Sequence, residues 1–146
     1  MQIRKMVLSD YDSVYNLWLN TPGLGVNDIN DSKAGIAKYL IRNPDTCFVA
    51  EKGDEIIGTI LSGHDGRRGL IYHMAVKITE RNQGIGESLL THAINALKDE
   101  GIAKVYITIF KDNVVGNVFW EKQGFTIPDE SLYRAKEIAL IKHIDT

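Results

Sequence analysis

The stretch Arg81-Asn82-Gln83-Gly84-Ile85-Gly86 lies between a predicted strand and the most regular amphipathic helix of the chain. Two glycines at this place let the backbone approach a ligand closely and turn its N–H groups outward. The unpaired N–H groups and the dipole of the helix N-terminus then form an anion site, suited to a phosphate or a pyrophosphate. The stretch therefore predicts phosphate binding, with a simple tight turn as the alternative.

The elements around this stretch follow from hydrophobic periodicity. Residues 70–76 are the predicted strand before it, and residues 85–99 keep one helical face apolar up to Gly101, a residue type that commonly ends helices. Earlier in the chain, Gly53-Asp54 separates two apolar runs and predicts an antiparallel hairpin. Near the other end, residues 132–144 are apolar on both faces, as in a buried strand.

The predicted order of elements is β-α-α-β-β-β-α-β-α-β, with one more terminal strand as an alternative. Hairpins come first and strand-helix-strand units follow, which favours an α+β fold with a mixed sheet. A chain of 146 residues has the usual size of one domain. We therefore expect a single domain over residues 1–146.

Two familiar phosphate-binding motifs are excluded by the residues in this region. The dinucleotide fingerprint needs a third glycine where this chain has Leu89, so binding of a dinucleotide is disfavoured. The P-loop needs Gly-Lys followed by Ser or Thr, and the sequence contains no such run.

A different family does match the spacing here and downstream. Its signature is Arg or Gln, two residues, Gly, one residue, and Gly or Ala, which Arg81, Gly84 and Gly86 satisfy. On these residues and on those that follow, the chain resembles the GNAT superfamily of acetyl-coenzyme A-dependent N-acyltransferases, and residues 49–69 resemble its small bacterial members with poorly defined acceptors. The downstream pattern of an Asn, a small residue three positions later, an aromatic pair and Gly-Phe is present as Asn113, Gly116, Phe119-Trp120 and Gly124-Phe125.

The resemblance implies a GNAT-like fold, in which a central mixed β-sheet of about six to seven strands is flanked by four helices. It also implies acetyl-CoA as cosubstrate, with the pantetheine arm paired to the backbone of Met74 and Val76 and the pyrophosphate held by N–H groups across residues 83–88. Asn113 should face the pantetheine, and the thioester should enter where the strands that end at Val76 and Ile109 separate. The coenzyme-binding residues that it implies are Met74, Val76, Arg81, Asn82, Gln83, Gly84, Ile85, Gly86, Glu87, Ser88, Asn113 and Trp120.

The implied activity is transfer of an acetyl group to a primary amine of a small molecule, peptide or protein, by direct attack of the amine on the thioester. The amine must first lose its proton, because a lysine-like amine is only about 0.04% neutral at pH 7. The family commonly protonates the leaving thiolate from a Tyr seven residues after the Asn. That position is Trp120, whose indole N–H does not give up its proton in this pH range. A noncatalytic acyl-CoA-binding or regulatory module is therefore the alternative.

Candidates for the missing acid and for the general base are side chains near the predicted strand. Tyr72 and His73 precede Met74 and should point to opposite faces of the strand, so that one of them faces the acceptor. Tyr133 lies near the start of the last predicted strand. These three residues and Trp120 are the catalytic candidates. The base stays unassigned, with a chain of water molecules as the alternative.

The acceptor pocket is expected to form from the loop at residues 21–32 and the turn at residues 64–68. Two sets of charged side chains in these segments favour opposite kinds of acceptor, so the sequence does not name the acceptor. Carboxylates that suit a cationic amine are Asp28, Asp31 and Asp65, and guanidinium groups that suit a carboxylate-bearing amine are Arg67 and Arg68.

Composition and charge set the remaining limits. The 17 Lys and Arg against 19 Asp and Glu give a net charge of −2, which disfavours a generally basic nucleic-acid binder. The longest apolar runs are four residues, far short of the roughly 20 that a membrane-spanning helix needs. No secretory signal is readable and the single cysteine, Cys47, forms no internal disulfide, so a cytoplasmic location is expected. The histidines show no metal-ligand spacing, so no metal is expected, and exposed sheet edges would allow a homodimer.

Overall fold

The structure, a computed structural model, describes residues 1–128 and 130–144, which contain seven strands and four α-helices. None of the helices in these residues is long and apolar enough to cross a membrane. The strands are β1 (Gln2–Lys5), β2 (Val26–Asn27), β3 (Phe48–Lys52), β4 (Glu55–His64), β5 (Gly69–Val76), β6 (Val105–Ile107) and β7 (His143–Ile144). The helices are α1 (Tyr11–Leu19), α2 (Lys33–Arg42), α3 (Ile85–Asp99) and α4 (Val114–Lys122).

Five of the strands form one mixed sheet in the order β1-β3-β4-β5-β6, and β2 pairs with β7 in a separate two-stranded sheet. Neighbours from β1 to β5 run antiparallel, while β6 runs parallel to β5 because α3 carries the chain back along the sheet. The hairpin predicted at Gly53-Asp54 joins β3 to β4. The predicted α+β fold with a mixed sheet and four helices is confirmed. Within the described part of the chain, the central sheet has five strands rather than the predicted six to seven, because β2 and β7 pair with each other outside it.

Helices cover both faces of the sheet, and each face has its own apolar core. α1 and α2 cover one face, where Val14, Trp18 and Ile36 are almost fully buried. α3 covers the other face, and its residues Leu89 and Ala93 are completely buried, as the periodicity of the sequence predicts. Burial of each large apolar side chain contributes about 1.5–3 kcal/mol relative to its exposure, so these two layers hold β5 firmly between them.

The C-terminal region differs from its prediction. A buried strand is expected over residues 132–144, but only His143–Ile144 forms a strand, and Ile138 and Leu140 are 94% and 90% exposed. The pairing of β7 with β2 holds this end of the chain beside the loop that precedes α2, away from the five-stranded sheet. A segment is buried as a strand only where it can pair with the edge strand of a sheet. The pattern of apolar residues within the segment does not show whether such an edge is available.

A register shift in the middle of the sheet shapes the site. Between the pairs Leu61–His73 and Ser62–Ile71, Tyr72 is an extra residue on β5, as in a β-bulge. Beyond this point β5 and β6 separate, because β6 pairs only with the first three residues of β5. The rest of β5 therefore has no strand partner on that side within the described residues, and the separation of strands that the resemblance implies begins here.

Candidate active site

A cleft of about 1290 Å³ opens where β5 and β6 separate. Its walls come from the open part of β5, the start of α3, the side of α4, the loop at residues 21–25 and the second half of α2. The volume exceeds the roughly 300–1,000 Å³ of a usual ligand pocket, so the cleft has room for a coenzyme and a second substrate.

The backbone of β5 presents hydrogen-bonding groups to this cleft. Lys77 N donates to Ile57 O at 2.8 Å, which shows that this peptide group faces β4. Because peptide groups alternate along a strand, those of Met74 and Val76 face the opposite way, into the gap beside β6. Val76 O accepts a hydrogen bond from Arg81 Nε at 3.1 Å, which ties the end of β5 to the loop before α3. An extended chain with amide groups can therefore pair with Met74 as an added strand would.

The N-terminus of α3 has the geometry that the predicted anion site requires. The helix begins at Ile85, after Gly84 in the left-handed conformation (φ 79°), where a side chain would be strained. Asn82 also has a positive φ, 62°, which Asn tolerates better than most other residues. Ser88 N donates to Gly84 O at 3.0 Å and closes the first helical turn. The N–H groups of residues 85–87 are thereby left without helical acceptors.

Four of the six residues of the predicted cradle, residues 84–87, line the cleft. The Ser88 N–H is used within the helix, and neither Gln83 nor Ser88 lines the cleft. Gly86 does line it, and a Cβ there would lie 3.4 Å from Met74 Cε and from Phe119 Cε1, so the glycine keeps this wall open. The predicted coenzyme-binding residues that line the cleft are Met74, Val76, Arg81, Asn82, Gly84, Ile85, Gly86, Glu87, Asn113 and Trp120.

Asn113 lies on the facing wall, where it caps α4. Its Oδ1 accepts a hydrogen bond from Gly116 N at 3.0 Å, which satisfies one of the free N–H groups at the helix start. The amide end of Asn113 lies against Gly23, because a Cβ on that glycine would be 3.6 Å from Asn113 Nδ2. Gly25 of the same loop is so close to Phe110 that a Cβ there would lie 2.8 Å from the ring. The loop at residues 21–25 therefore packs on this wall and narrows the cleft.

His73 and Asp31 form a buried pair on the face of the sheet that α1 and α2 cover. His73 Nε2 lies 2.7 Å from Asp31 Oδ1, and Asp31 Oδ2 accepts from Asn27 N at 2.8 Å. The imidazole also packs edge-on against Trp18, with ring centroids 4.8 Å apart. His73 Nδ1 is buried and has no partner among the described residues. When Nε2–H donates to the carboxylate, Nδ1 holds the lone pair, and this nitrogen can accept a proton.

Tyr72 lies on the same side of the sheet as His73. Its ring packs edge-on against Tyr39 of α2, with centroids 5.7 Å apart, and the side chain is half-exposed where it lines the cleft. Burial, with a contribution from nearby Tyr133, raises the pKa of Tyr72, so its hydroxyl stays protonated. The prediction that Tyr72 and His73 point to opposite faces is wrong, because the bulge at Tyr72 interrupts the alternation.

Trp120 and Tyr133, the other two catalytic candidates, also line the cleft. Trp120 is 6% exposed and packs edge-on against both Phe119 and Phe125, with ring centroids 5.0 Å apart in each pair. Its ring is therefore part of the core beneath α4. Tyr133 is largely exposed, so few contacts hold its hydroxyl in place. The fold thus brings all four candidates to one cleft but fixes them to very different degrees.

The carboxylates expected at the acceptor pocket serve the backbone instead. Asp28 Oδ1 accepts from Lys142 N at 2.7 Å, which holds the chain before β7. Asp31 is used by His73 and by the loop before α2. Asp65 Oδ1 accepts from two backbone N–H groups of its own turn. Of the three, only Asp31 lines the cleft, and both of its carboxylate oxygens already have partners.

The guanidinium groups expected at the acceptor pocket lie elsewhere. Arg67 and Arg68 belong to the turn between β4 and β5, which does not line the cleft because only the far end of β5 borders it. We call the part of the cleft that α2 and Tyr72 line the acceptor end. The cations that line it are Lys38 and Arg42. Neither residue can be singled out from the sequence, because both stand on the polar side of an amphipathic helix and the local pattern does not show that this side borders the cleft.

The described residues provide neither a reactive thiol in the cleft nor a cluster of metal-ligating side chains. Cys47 is buried outside the cleft, where its Sγ donates a hydrogen bond to Ser62 O, and burial raises the pKa of its thiol to about 12. In residues 1–128 and 130–144, no group of three or more His, Cys, Asp or Glu side chains is arranged so that it could hold a metal ion.

Comparison with known proteins gives a consistent result. The model of the acetyltransferase (GNAT) family matches residues 11–125. An acetyltransferase of Sodalis glossinidius is 30% identical over 138 residues, which cover 94% of this chain and 96% of that protein. Another, from Pectobacterium atrosepticum, is 30% identical over 129 residues, covering 88% and 90%.

Solved structures show the same fold. The PaiA N-acetyltransferase of Thermoplasma acidophilum in complex with coenzyme A has a TM-score of 0.77 at 20% identity, over 89% of this chain and 92% of that one. A GNAT family acetyltransferase of Elizabethkingia anophelis with acetyl-CoA bound has a TM-score of 0.66 at 26% identity, over 88% and 77%.

Proposed function

The chain belongs to the GNAT family of acetyltransferases and is an acetyl-CoA-dependent acyltransferase, and from this premise we propose that its acceptor is the primary amine of a small molecule, peptide or protein. The observation that carries the proposal is that one cleft holds the open backbone of β5, the free N–H groups at the start of α3, and His73, whose unpaired Nδ1 can take the proton that an amine must lose. One domain over residues 1–146 would hold both substrates.

The walls of the cleft suit the chemistry of acetyl-CoA. The peptide groups that Met74 and Val76 turn toward the gap would pair with the amides of the pantetheine arm. The N–H groups of residues 85–87, together with the dipole of α3, would offset the charge of the pyrophosphate. The Asn113 amide would complete the facing wall. When bound, acetyl-CoA supplies an acyl group activated by a thiol leaving group.

His73 is the proposed acceptor of the amine's proton. Its Nδ1 is unpaired, while Asp31 holds the opposite nitrogen at 2.7 Å and fixes the tautomer. Because Nδ1 is buried, a single water molecule would carry the proton to it. The need for a base is greatest with a lysine-like amine, which is about 0.04% neutral at pH 7, against about 10% for an α-amine.

The reaction forms a C–N bond and breaks the C–S bond of the thioester. The Met74 N–H faces the gap and is proposed to donate to the carbonyl oxygen as negative charge develops on it. The Tyr72 hydroxyl is proposed to donate a hydrogen bond to the departing thiolate. A thiol of pKa about 8.5 is more acidic than a phenol with a raised pKa, so Tyr72 would stabilise the thiolate while water completes its protonation.

Thiol release tests this proposal. The full chain is mixed with acetyl-CoA and a panel of amino acids, simple primary amines and peptides, and the acetylated product is identified by mass. We expect release above the hydrolysis background for at least one amine, with an N-acetyl product. Products acetylated only on a hydroxyl group would contradict the proposal, as would tight coenzyme binding with no release for any amine.

A noncatalytic acyl-CoA-binding module is the second candidate, and one observation favours it. Trp120 stands where many relatives place a proton-donating Tyr, and its ring is packed into the core with no acidic proton to give. Such a module would bind acetyl-CoA in calorimetry and leave it unchanged in a single-turnover experiment with an excess of each amine. General-acid assistance is worth roughly 10²–10⁴ in rate, so the absence of that Tyr is expected to slow an enzyme without abolishing its activity.

A further inference from the structure

Helix α2 has an unusual charge pattern for a helix that borders a cleft. It contains Lys33, Lys38 and Arg42 and no carboxylate. Lys38 and Arg42 are four residues apart, so their side chains lie on the same side of the helix, where like charges are unfavourable. Both line the acceptor end of the cleft, whereas Lys33 does not. Arg42 stands in the last turn, where a cation interacts favourably with the helix dipole, but Lys38 lies one turn earlier, so helix stability alone does not account for both cations.

Neither cation is neutralised by a neighbour. Lys38 and Arg42 are exposed and make no ion pair within residues 1–128 and 130–144. Asp31, the carboxylate at this end of the cleft, is 4% exposed and already bonded to His73 and to the loop backbone. Among the described residues, the exposed charged side chains at the acceptor end are therefore Lys38 and Arg42, both cations.

The other acidic side chains that line the cleft are at its opposite end. Glu80 and Glu87 flank the start of α3, and Glu80 forms an ion pair with Lys52 at 3.3 Å. These carboxylates lie next to the proposed phosphate site and do not offset the charge on α2. Arg81 lines that end of the cleft as well, so both ends carry cations, but Asp31 is the one carboxylate among the described cleft-lining residues at the acceptor end.

Between the cations and the open stretch of β5 lies an aromatic surface. Tyr39 is next to Lys38 in the chain, and its ring packs edge-on against Tyr72, which is 51% exposed. Ile29, also on this wall, is 42% exposed. A small organic body can pack on this surface, with one end at the cations and the other near His73.

We infer that the acceptor is a small primary amine of the amino-acid class, whose carboxylate binds Lys38 and Arg42 and whose amino group faces the thioester. This inference rests on the proposed N-acetyl transfer. A guanidinium group can hold a carboxylate through two hydrogen bonds, and the ammonium group of Lys38 adds a second charge. Polyamines and lysine-rich peptides are excluded as good acceptors, because the same cations repel them.

Matched acceptors test the inference. The amino acid that gives the fastest thiol release is compared with its carboxamide, with the amine formed by its decarboxylation, and with spermidine. We expect kcat/KM to be at least about tenfold higher for the amino acid than for its carboxamide or its decarboxylated amine. A ratio of about tenfold corresponds to the loss of one charge-assisted hydrogen bond. Aminoethyl phosphate, assayed in parallel, shows whether a phosphate replaces the carboxylate.

Alanine variants of α2 test whether Lys38 and Arg42 bind the carboxylate of the acceptor. Lys38→Ala and Arg42→Ala are expected to lower kcat/KM for the amino acid about tenfold each, mainly through KM, and not to lower it for the decarboxylated amine, which lacks the carboxylate. Alanine in an exposed helical position preserves the fold. Lys33→Ala is the matched control, since it removes a cation from the same helix outside the cleft. The KM for acetyl-CoA should stay constant in all three variants.

Several results would overturn the inference. Equal kcat/KM for the amino acid and its decarboxylated amine, or a preference for spermidine, would contradict it while leaving N-acetyl transfer intact. An increase in the KM for acetyl-CoA in Arg42→Ala would show that these cations bind the coenzyme instead. If no amine causes thiol release from acetyl-CoA, the proposal of N-acetyl transfer is wrong, and so is this inference.

Discussion

His73 Nε2 and Asp31 Oδ1 lie 2.7 Å apart, and this contact joins β5 to the loop that precedes α2. Asp31 also accepts from Asn27 N, and its carbonyl oxygen accepts from the Tyr11 hydroxyl at 2.7 Å. His73 and Asp31 are 8% and 4% exposed, so a broken bond would leave a buried polar group unsatisfied, at a cost of about 1–3 kcal/mol. The pair therefore orients His73 and at the same time holds the loop against α1.

Replacing His73 by Gln is expected to lower kcat by roughly 10²–10⁴-fold, because Gln can still donate to Asp31 but cannot take a proton from the amine. The loss should shrink as the pH rises toward the pKa of the acceptor amine, since the amine then needs no base. Thiol release measured across pH tests this. His92→Gln, an exposed change on α3 outside the cleft, is the control. A wild-type kcat in His73→Gln would exclude His73 as the base.

Tyr72→Phe is expected to lower kcat about tenfold without changing the KM for acetyl-CoA, because it removes one hydrogen bond to a developing thiolate. Tyr133→Phe should have little effect, since the side chain of Tyr133 is 81% exposed and loosely held. Steady-state kinetics with saturating acetyl-CoA separates the two variants. A larger effect at Tyr133 would reverse the assignment. If neither variant nor His73→Gln changes kcat, none of these side chains acts in proton transfer.

Gly84→Ala is expected to raise the KM for acetyl-CoA several-fold, because it strains the turn that opens α3. Gly53→Ala is the matched control: the two glycines have φ values of 79° and 62°, and neither has a heavy atom within 4 Å of an added Cβ. Both variants should lose about 1–2 kcal/mol of unfolding free energy in urea titrations. Only Gly84→Ala should raise the KM for acetyl-CoA. Equal KM values in the two variants would show that this turn does not bind the coenzyme.

Asp10 is expected to make the free energy of unfolding depend on pH in the acidic range. Its carboxylate bonds Arg4 through both oxygens at 2.8 Å and accepts from Val7 N at 2.9 Å. Burial alone would raise the pKa of Asp10, but these bonds outweigh burial and hold the pKa below its ordinary value. A lowered carboxyl pKa contributes stability that is fully present above the unfolded value of about 3.9 and is lost as the pH falls through the folded value.

We therefore expect the free energy of unfolding, measured by urea titration, to decrease as the pH falls below about 4. Asp10→Asn should be less stable than the wild type at pH 7 and should show a smaller decrease on acidification. Asp54→Asn removes a carboxylate from the exposed turn between β3 and β4 and serves as the control. The same acid dependence in Asp10→Asn as in the wild type would show that Asp10 does not contribute to it.

Local patterns predict much of the fold. The spacing of Leu89 and Ala93 predicts the buried face of α3, and the turn at Gly53-Asp54 predicts the hairpin. Gly84 and Gly86 locate the start of α3, where the free N–H groups lie. Each of these features depends on contacts between residues a few positions apart, so the local sequence is sufficient to predict it.

The errors have a different origin. The bulge at Tyr72 arises from the pairing of β5 with β4, and it places Tyr72 and His73 on one side of the sheet against the simple rule of alternation. The segment before β7 has the alternation of a strand but lies exposed, because β7 pairs with β2. Neither outcome can be derived from the segment in which it occurs.

The sequence by itself determined the class of the fold, the family and the place where α3 begins, at which the phosphate site is proposed, because helix periodicity, turn glycines and the start of α3 are local properties of the chain. Only the tertiary structure decided what surrounds the reacting groups. Asp31 reaches His73 across 42 positions of sequence, and Lys38 and Arg42 reach the same cleft from a separate helix. Such contacts depend on how helices and strands pack on one another, and packing between distant segments leaves no periodic signal in either one.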